Sequence, residues 1–195
     1  MLSQITIGYI AGFFEGIGAL PYLYSMIRKR TKPSRTTWFI WSGVSIILFL
    51  TYYLSGARET LWQPGIAVLF NLLFAILSLK YGVGGTNRLD IFCFVGAIIS
   101  LVLWAFTKNP VVGMTIIVII AIIGSIPTII KVSKHPESED KITWLCWSLG
   151  AILNLFAIKS WTYEIAFYPI QAAVILSLIF LLLLRQLINN TNKRI

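Results

Sequence analysis

Long uncharged stretches of hydrophobic residues, separated by short polar loops, dominate the pattern of this chain. Seven of them approach or exceed the length needed to cross a bilayer core, which takes about 17 to 25 helical residues. They are residues 1–27, 36–57, 60–79, 91–106, 109–130, 142–158 and 165–184. Only Glu15 interrupts the first stretch, and the fourth is the shortest with 16 residues. The pattern therefore predicts seven transmembrane helices.

The chain also contains an internal repeat. Residues 17–42 align without gaps on residues 123–148, at a spacing of 106. Seven of the 26 positions are identical, including Gly18 with Gly124, Pro21 with Pro127, Trp38 with Trp144 and Trp41 with Trp147. Because this spacing covers an even number of predicted spans, the two copies have the same orientation in the membrane.

We therefore predict an all-α polytopic membrane protein made of two parallel three-helix bundles and a linker helix, a 3+1+3 plan. Residues 1–82 form the first bundle, 83–107 the linker helix, and 108–195 the second bundle with a cytoplasmic tail. The composition agrees, with 57 % hydrophobic and 12 % charged residues, whereas soluble domains carry about 25 % charged residues. The spans leave no room for a separate soluble catalytic domain.

The net charge of +9 is unevenly distributed over the loops. If successive loops alternate sides, 13 of the 16 Lys and Arg residues fall on one side, and the other side has only Arg58, Lys108 and Lys159. The positive-inside rule then places the N-terminus outside and the C-terminus in the cytoplasm. The basic loops lack interleaved aromatics, so we expect anionic inner-leaflet lipid rather than nucleic acid as their partner.

The repeat, the helix plan and the prolines in the segments GALPY (18–22) and GSIPT (124–128) resemble the SWEET and PQ-loop transporter superfamily. The blocks YGVGG (81–85) and KHPESE (134–139) are most similar to uncharacterised bacterial seven-helix membrane proteins, which implies a location in a bacterial inner membrane. The resemblance implies a transporter of a small polar, sugar-like solute that works by alternating access. It also implies hinges at the two prolines, Pro21 and Pro127, although a proline kink in a membrane helix can equally be static.

The same resemblance implies a substrate site in the third helix of each bundle. In SWEETs an asparagine there contacts the sugar; Asn71 matches it by location, and its counterpart is Ser177. Bacterial nicotinamide-riboside transporters share the plan and have a Trp-x-x-Trp motif that Trp144 and Trp147 resemble, so a nucleoside-like or vitamin-like substrate is an alternative. The KDEL receptors share the scaffold as well, so a receptor or interaction protein without transport is another.

Glu15 is the only acid in the middle of a predicted span. Small residues lie three or four positions away, at Ala11, Gly12, Gly18 and Ala19, so its helix face is expected to meet other helices and not lipid. Its carboxyl group either couples transport to protons or binds substrate, or it is a buried group that clamps neighbouring helices. Transport would be passive or proton-coupled, and Glu15 is the reason to consider coupling.

Tryptophans open the second and sixth spans. We expect Trp38 and Trp144 to lie in an aromatic belt at the membrane interface. Trp41 and Trp147 lie one turn deeper on the same face and are candidates for an aromatic platform under a sugar or a base.

Further polar residues occur at membrane depth, namely Asn154 in the sixth span and Gln171 in the seventh. Together with Asn71 and Ser177 they can bind a polar ligand or hydrogen-bond to each other between helices. No His, Cys and Asp cluster has metal-ligand spacing, and no Walker loop or dinucleotide fingerprint is present. We therefore expect no enzymatic activity and no cofactor. The partners expected are a small-molecule substrate and the bilayer, and a homo-oligomer stays open.

Overall fold

The computed structural model describes residues 2–54, 56–106 and 110–192. This part of the chain is all-helical and forms seven α-helices and one short 3-10 helix. The α-helices are α1 (Gln4–Ile27), α2 (Arg35–Leu54), α3 (Trp62–Tyr81), α4 (Arg88–Phe106), α5 (Pro110–Lys134), α6 (Lys141–Phe156) and α7 (Tyr163–Asn192). The 3-10 helix, Pro136–Ser138, lies between α5 and α6.

Five of these helices, α1, α2, α3, α5 and α7, are long and apolar enough to cross a membrane. The sixth helix, α6, is apolar but has 16 residues. The outer faces carry large exposed hydrophobic side chains, such as Leu69, Phe92 and Leu181, which lipid tails cover at no hydrophobic cost. Length, composition and surface are those of an integral membrane protein, as the hydropathy pattern predicts.

Six of the helices pack around one interior as a ring, in the order α1, α3, α2, α5, α7 and α6, and α6 closes the ring against α1. We call α1, α2 and α3 the first helix group and α5, α6 and α7 the second. In the first group α1 and α2 each pack against α3, and in the second group α5 and α6 each pack against α7. The groups meet through α1 against α6 and through α2 against α5, while α4 packs mainly against α5. The interior therefore lies between the two groups, with helices of both around it.

Arg35 joins the start of α2 to the end of α3. Its guanidinium donates to the backbone oxygens of Ser78 at 3.1 Å, Gly84 at 3.2 Å and Leu79 at 3.4 Å. The last carbonyls of a helix have no partner within the helix, and a cation near them also meets the negative end of the helix dipole. Arg35 therefore has a structural role and is not free to bind a partner of the basic loop.

Gly18 lies at a close contact between α1 and α6. A methyl group added there would lie 2.9 Å from Cβ of Cys146 and 3.0 Å from the indole of Trp147. We expect Gly18→Ala to lower the free energy of unfolding by about 1 to 3 kcal/mol through overpacking. Gly43→Ala is the matched control, because no atom lies within 4 Å of the added methyl group. Unfolding of both variants in detergent by SDS titration measures the difference, and equal stability would contradict this packing.

Candidate functional site

A cavity lies between the two helix groups at the middle of α1 and α3. It offers about 60 Å³ to the centres of water molecules, room for several waters because one needs about 10 to 15 Å³ by this measure. Its lining is partly polar and rich in aromatic rings. The lining residues are Glu15, Trp38, Trp41, Val44, Ser45, Gln63, Ala67, Asn71, Ala121, Trp147, Tyr168, Gln171, Ala172, Ile175 and Leu176.

Glu15 is buried inside the protein, on the side of α1 that faces the cavity. This confirms the expectation, based on its small neighbours, that it faces helices and not lipid. Gln63, at the start of α3, donates from Nε2 to Oε2 of Glu15 at 3.4 Å. The carboxyl group thus has one neutral partner and forms no ion pair within the described part of the chain.

Trp41 and Trp147 form two walls of the cavity and cross between the helix groups. The indole N–H of Trp147 donates to the backbone oxygen of Glu15 at 3.0 Å. The indole N–H of Trp41 donates to the backbone oxygen of Ala121 at 3.1 Å. Donors and acceptors correspond at the spacing of 106 residues that separates the sequence repeats. Each tryptophan is therefore fixed by a carbonyl on the first helix of the other group.

The polar side chains of α3 and α7 complete the cavity. Asn71 lines it, and its Nδ2 donates to the backbone oxygen of Trp41 at 3.4 Å. Oε1 of Gln63 and Oε1 of Gln171 are buried and have no hydrogen-bond partner among the described residues. An unpaired buried acceptor costs about 1 to 3 kcal/mol, so such atoms mark a place where a ligand can form the missing bonds.

Two predicted site residues lie outside the cavity lining. Ser177 on α7 shares a hydrogen bond of 2.8 Å with Ser148 on α6, which joins these two helices. Asn154 on α6 is fully buried, and neither polar atom of its side chain has a partner among the described residues. The structure thus brings Glu15, Asn71 and the two tryptophans together, and a substrate-binding role for Ser177 and Asn154 stays a prediction.

The expectation that Trp38 and Trp144 lie in an interfacial belt is wrong. Their side chains are only 2 % and 1 % exposed, whereas a belt residue keeps its ring at the lipid headgroups. The indole N–H of Trp38 donates to the hydroxyl of Tyr22 at 3.0 Å, and that of Trp144 donates to Oε2 of Glu139 at 3.0 Å. These interior partners replace the water that an interfacial indole would bind.

A cluster of six rings fills the space between the cavity and the end of the molecule formed by loops 28–34 and 135–140. Neighbouring ring centroids are 4.8 to 6.3 Å apart, mostly in tilted or edge-to-face arrangements. We call it the aromatic cluster; its members are Tyr22, Trp38, Trp41, Phe74, Trp144 and Trp147. Three of these rings, Trp38, Trp41 and Trp147, also line the cavity.

Glu139 ties the two helix groups together beyond the aromatic cluster. Its buried carboxylate forms an ion pair with Lys131 and accepts hydrogen bonds from Tyr22 at 3.4 Å and Trp144 at 3.0 Å. Next to it the backbone N–H of Lys32 donates to the backbone oxygen of Ser138 at 2.9 Å. We call this end the basic end, because Arg28, Lys29, Arg30 and Lys32 are exposed there.

Sequence reasoning missed Gln63, Tyr168 and Glu139. Gln63 directly precedes Pro64 near the start of the third predicted span, where a polar residue is ordinary. The signal that could have identified it is its polar side chain within an otherwise apolar stretch. Glu139 belongs to a loop with several acids, and nothing in the sequence separates it from the others.

Among the described residues no three His, Cys, Asp or Glu side chains gather into a metal site. Fold and cavity define the class: a helical membrane protein with a polar and aromatic cavity between two helix groups. Comparison with protein-family models, curated proteins and solved structures finds no match to the chain. Any narrower assignment therefore rests on the geometry described above.

Proposed function

We propose that this protein transports a small polar solute across the membrane by alternating access. The observation that carries the proposal is the cavity between the two helix groups, which receives Glu15, Asn71 and Trp41 from one group and Trp147 from the other. Transporters built from repeats bind their substrates near the bilayer midplane, at the interface between the repeats. A scaffold without a solute path would fill this interface with apolar side chains.

The helix contacts support a 3+1+3 architecture, in which the two groups are parallel repeats and α4 is the linker. The proposed repeat relates α1 to α5 and α2 to α6. It therefore relates the contact of α1 with α6 to a contact of α5 with α2, and both contacts exist. It also converts the bond from Trp147 to residue 15 into the bond from Trp41 to residue 121. A two-fold axis along the membrane normal accounts for both correspondences. We propose the SWEET and PQ-loop plan on this ground.

Under this proposal the basic end, where the contacts of Glu139 and the backbone hydrogen bond of Lys32 join the two helix groups, has to open during transport. The charge distribution favours a cytoplasmic location for it, so the structure would represent a state closed toward the cytoplasm. Pro21 and Pro127 lie on α1 and α5 between the cavity and this end. Each proline lacks an N–H and leaves a carbonyl without its helical partner, which makes these positions suitable hinges. Transport would be passive, or coupled to protons through Glu15.

The alternative is a receptor whose basic loop binds anionic lipid or an acidic partner. The exposed residues Arg28, Lys29, Arg30 and Lys32 favour this reading. Neutralising three of them, Arg28, Lys29 and Arg30, with glutamine separates the alternatives. A transporter would keep its solute uptake, whereas a receptor would lose its binding to acidic vesicles and show no uptake.

Uptake from a mixture tests transport without knowledge of the substrate. Proteoliposomes are incubated with a cell metabolite extract, and retained solutes are identified by mass spectrometry. We expect at least one small polar solute to be retained by the wild-type protein and reduced to the level of empty liposomes by Ala172→Phe. This substitution places a ring in the cavity lining.

Gly43→Ala serves as the folded control, because its methyl group meets no atom within 4 Å. Retention equal to empty liposomes by a wild-type protein that is monodisperse would overturn the proposal. So would full retention by the Ala172→Phe variant, because the solute would then take another path.

A further inference from the structure

Several N–H donors of the cavity lining already have protein partners. The three tryptophans of the lining, Trp38, Trp41 and Trp147, donate their indole N–H groups to oxygens of the protein. The side-chain amide of Asn71 also donates, to the backbone oxygen of Trp41. A ligand that needs many donors from the protein, such as an anion, would find most of them in use.

The acceptors are in the opposite situation. Oε1 of Gln63 and Oε1 of Gln171 line the cavity from α3 and α7 and are buried without a hydrogen-bond partner in the described part of the chain. Gln63 is more than nine-tenths buried, and its Nε2 is used by Glu15. The missing partners must be hydrogen-bond donors, which a ligand in the cavity can supply.

The charge of the lining has one sign. Glu15 is the only ionisable carboxyl group among the lining residues, and no Lys, Arg or His lines the cavity. A buried carboxylate is costly unless a cation or several hydrogen bonds compensate it. Its side-chain partner here is a neutral amide. A positively charged ligand would supply the missing countercharge.

Aromatic faces make the cavity suitable for an organic cation. Rings of Trp38, Trp41, Trp147 and Tyr168 contribute to the lining. A cation within about 6 Å of such a ring is attracted by the negative face, most strongly where water is excluded. Carboxyl group, unpaired amide oxygens and rings together form the usual environment of an ammonium group.

We infer that the site takes a small organic cation, a protonated amine that donates to Gln63 Oε1, Gln171 Oε1 and the Glu15 carboxylate and lies against the tryptophan rings. The inference rests on the proposed transport function and names its substrate class. It predicts that a positive charge, and not a sugar-like set of hydroxyl groups, decides binding.

Isothermal titration calorimetry on the full chain in detergent tests the inference with matched pairs of probes. Tyramine and tyrosol have the same phenol ring and ethyl chain, but the chain ends in an ammonium group in tyramine and in a hydroxyl group in tyrosol. Ethanolamine and ethylene glycol form a smaller pair with the same difference. We expect at least one amine to bind about tenfold or more tighter than its neutral partner, a difference of about 1.4 kcal/mol. In Glu15→Gln the ratio of the affinity for the amine to that for its neutral partner should fall to nearly one.

Glu164→Gln is the matched control, since Glu164 is an α7 carboxyl group outside the cavity lining. Its variant should keep the full preference for the amine. Three results would overturn the inference: equal affinity for both members of each pair, an unchanged preference in Glu15→Gln, or no heat from either amine. Displacement of the amine by sodium chloride, at an ionic strength where potassium chloride has no effect, would indicate a sodium site and overturn the organic nature of the cation.

These outcomes are separate from those of the transport assay. Uptake from the extract registers a solute of any charge, so retention of neutral solutes together with the absence of amine binding overturns only this inference. The absence of any retained solute, in contrast, overturns transport itself.

Discussion

Replacing Glu139 with alanine should lower the free energy of unfolding by about 3 to 5 kcal/mol, the cost found when one partner of a buried ion pair is removed. Lys131 would then be a charged group without its ion-pair partner in a largely buried position. Its side chain is 12 % exposed, and that of Glu139 is 1 % exposed. Tyr22 and Trp144 would also lose the acceptor of their hydrogen bonds. The substitution thus removes one carboxylate and leaves three groups without it.

SDS titration of the purified protein, followed by tryptophan fluorescence, measures this loss. Glu139→Gln should fall between the wild type and Glu139→Ala, because an amide oxygen can still accept from Tyr22 or Trp144 but carries no charge for Lys131. Glu137→Ala is the control: that side chain is 62 % exposed and pairs with the exposed His135 at 3.3 Å, and exposed pairs contribute little. If Glu139→Ala is as stable as Glu137→Ala, Glu139 does not hold the two helix groups together.

The membrane class and the helix positions could be predicted because hydrocarbon imposes them. Backbone groups in a bilayer must be paired within a helix, so an uncharged stretch of sufficient length is already a helix prediction. The first stretch, 1–27, accordingly contains α1, Gln4–Ile27. The interior position of Glu15 could be predicted by the same reasoning. A carboxyl group is costly in contact with lipid, and the small residues on its helix face indicate contact with other helices.

Whether a tryptophan side chain lies in the interior or at the lipid headgroups could not be predicted in this way. Belt and interior sites both require an apolar surface for the ring and a partner for the N–H. Depth along the helix does not distinguish them. For Trp38 and Trp144 the deciding partners are Tyr22 on α1 and Glu139 in a loop. Trp38 and its partner are 16 positions apart, so helical periodicity does not relate them.

The contacts of Glu15 show the same limit at the candidate site. Gln63 lies 48 positions away, in another helix, and donates to the carboxyl group only because α1 packs against α3. The pairing of Trp147 with the carbonyl of Glu15 spans 132 positions. The internal repeat identified the tryptophans and the proline positions as a set, but their partners depend on how the two groups dock.

A disulfide between positions 32 and 138 should abolish transport, because it would hold the basic end closed. The backbones of Lys32 and Ser138 share a hydrogen bond of 2.9 Å, which brings their Cα atoms to roughly the 4.4 to 6.8 Å that a disulfide spans. The variant is Lys32→Cys with Ser138→Cys, in a chain whose native free cysteines, Cys93 and Cys146, are replaced by serine. Uptake from the metabolite extract should fall to the level of empty liposomes after oxidation and return after reduction.

A second disulfide, also placed across a backbone hydrogen bond, separates closure from the mere presence of a cross-link. The backbones of Pro33 and Val83 share a hydrogen bond of 2.8 Å, but both residues belong to the side of the first helix group. Pro33→Cys with Val83→Cys should therefore leave uptake near the wild-type level after oxidation. Undiminished uptake by the fully oxidised 32–138 variant would mean that the solute does not pass the basic end. Each cross-link joins two residues that share a backbone hydrogen bond, but only the 32–138 link connects the two helix groups. A loss of uptake confined to that link would therefore mean that the two groups move relative to each other during transport.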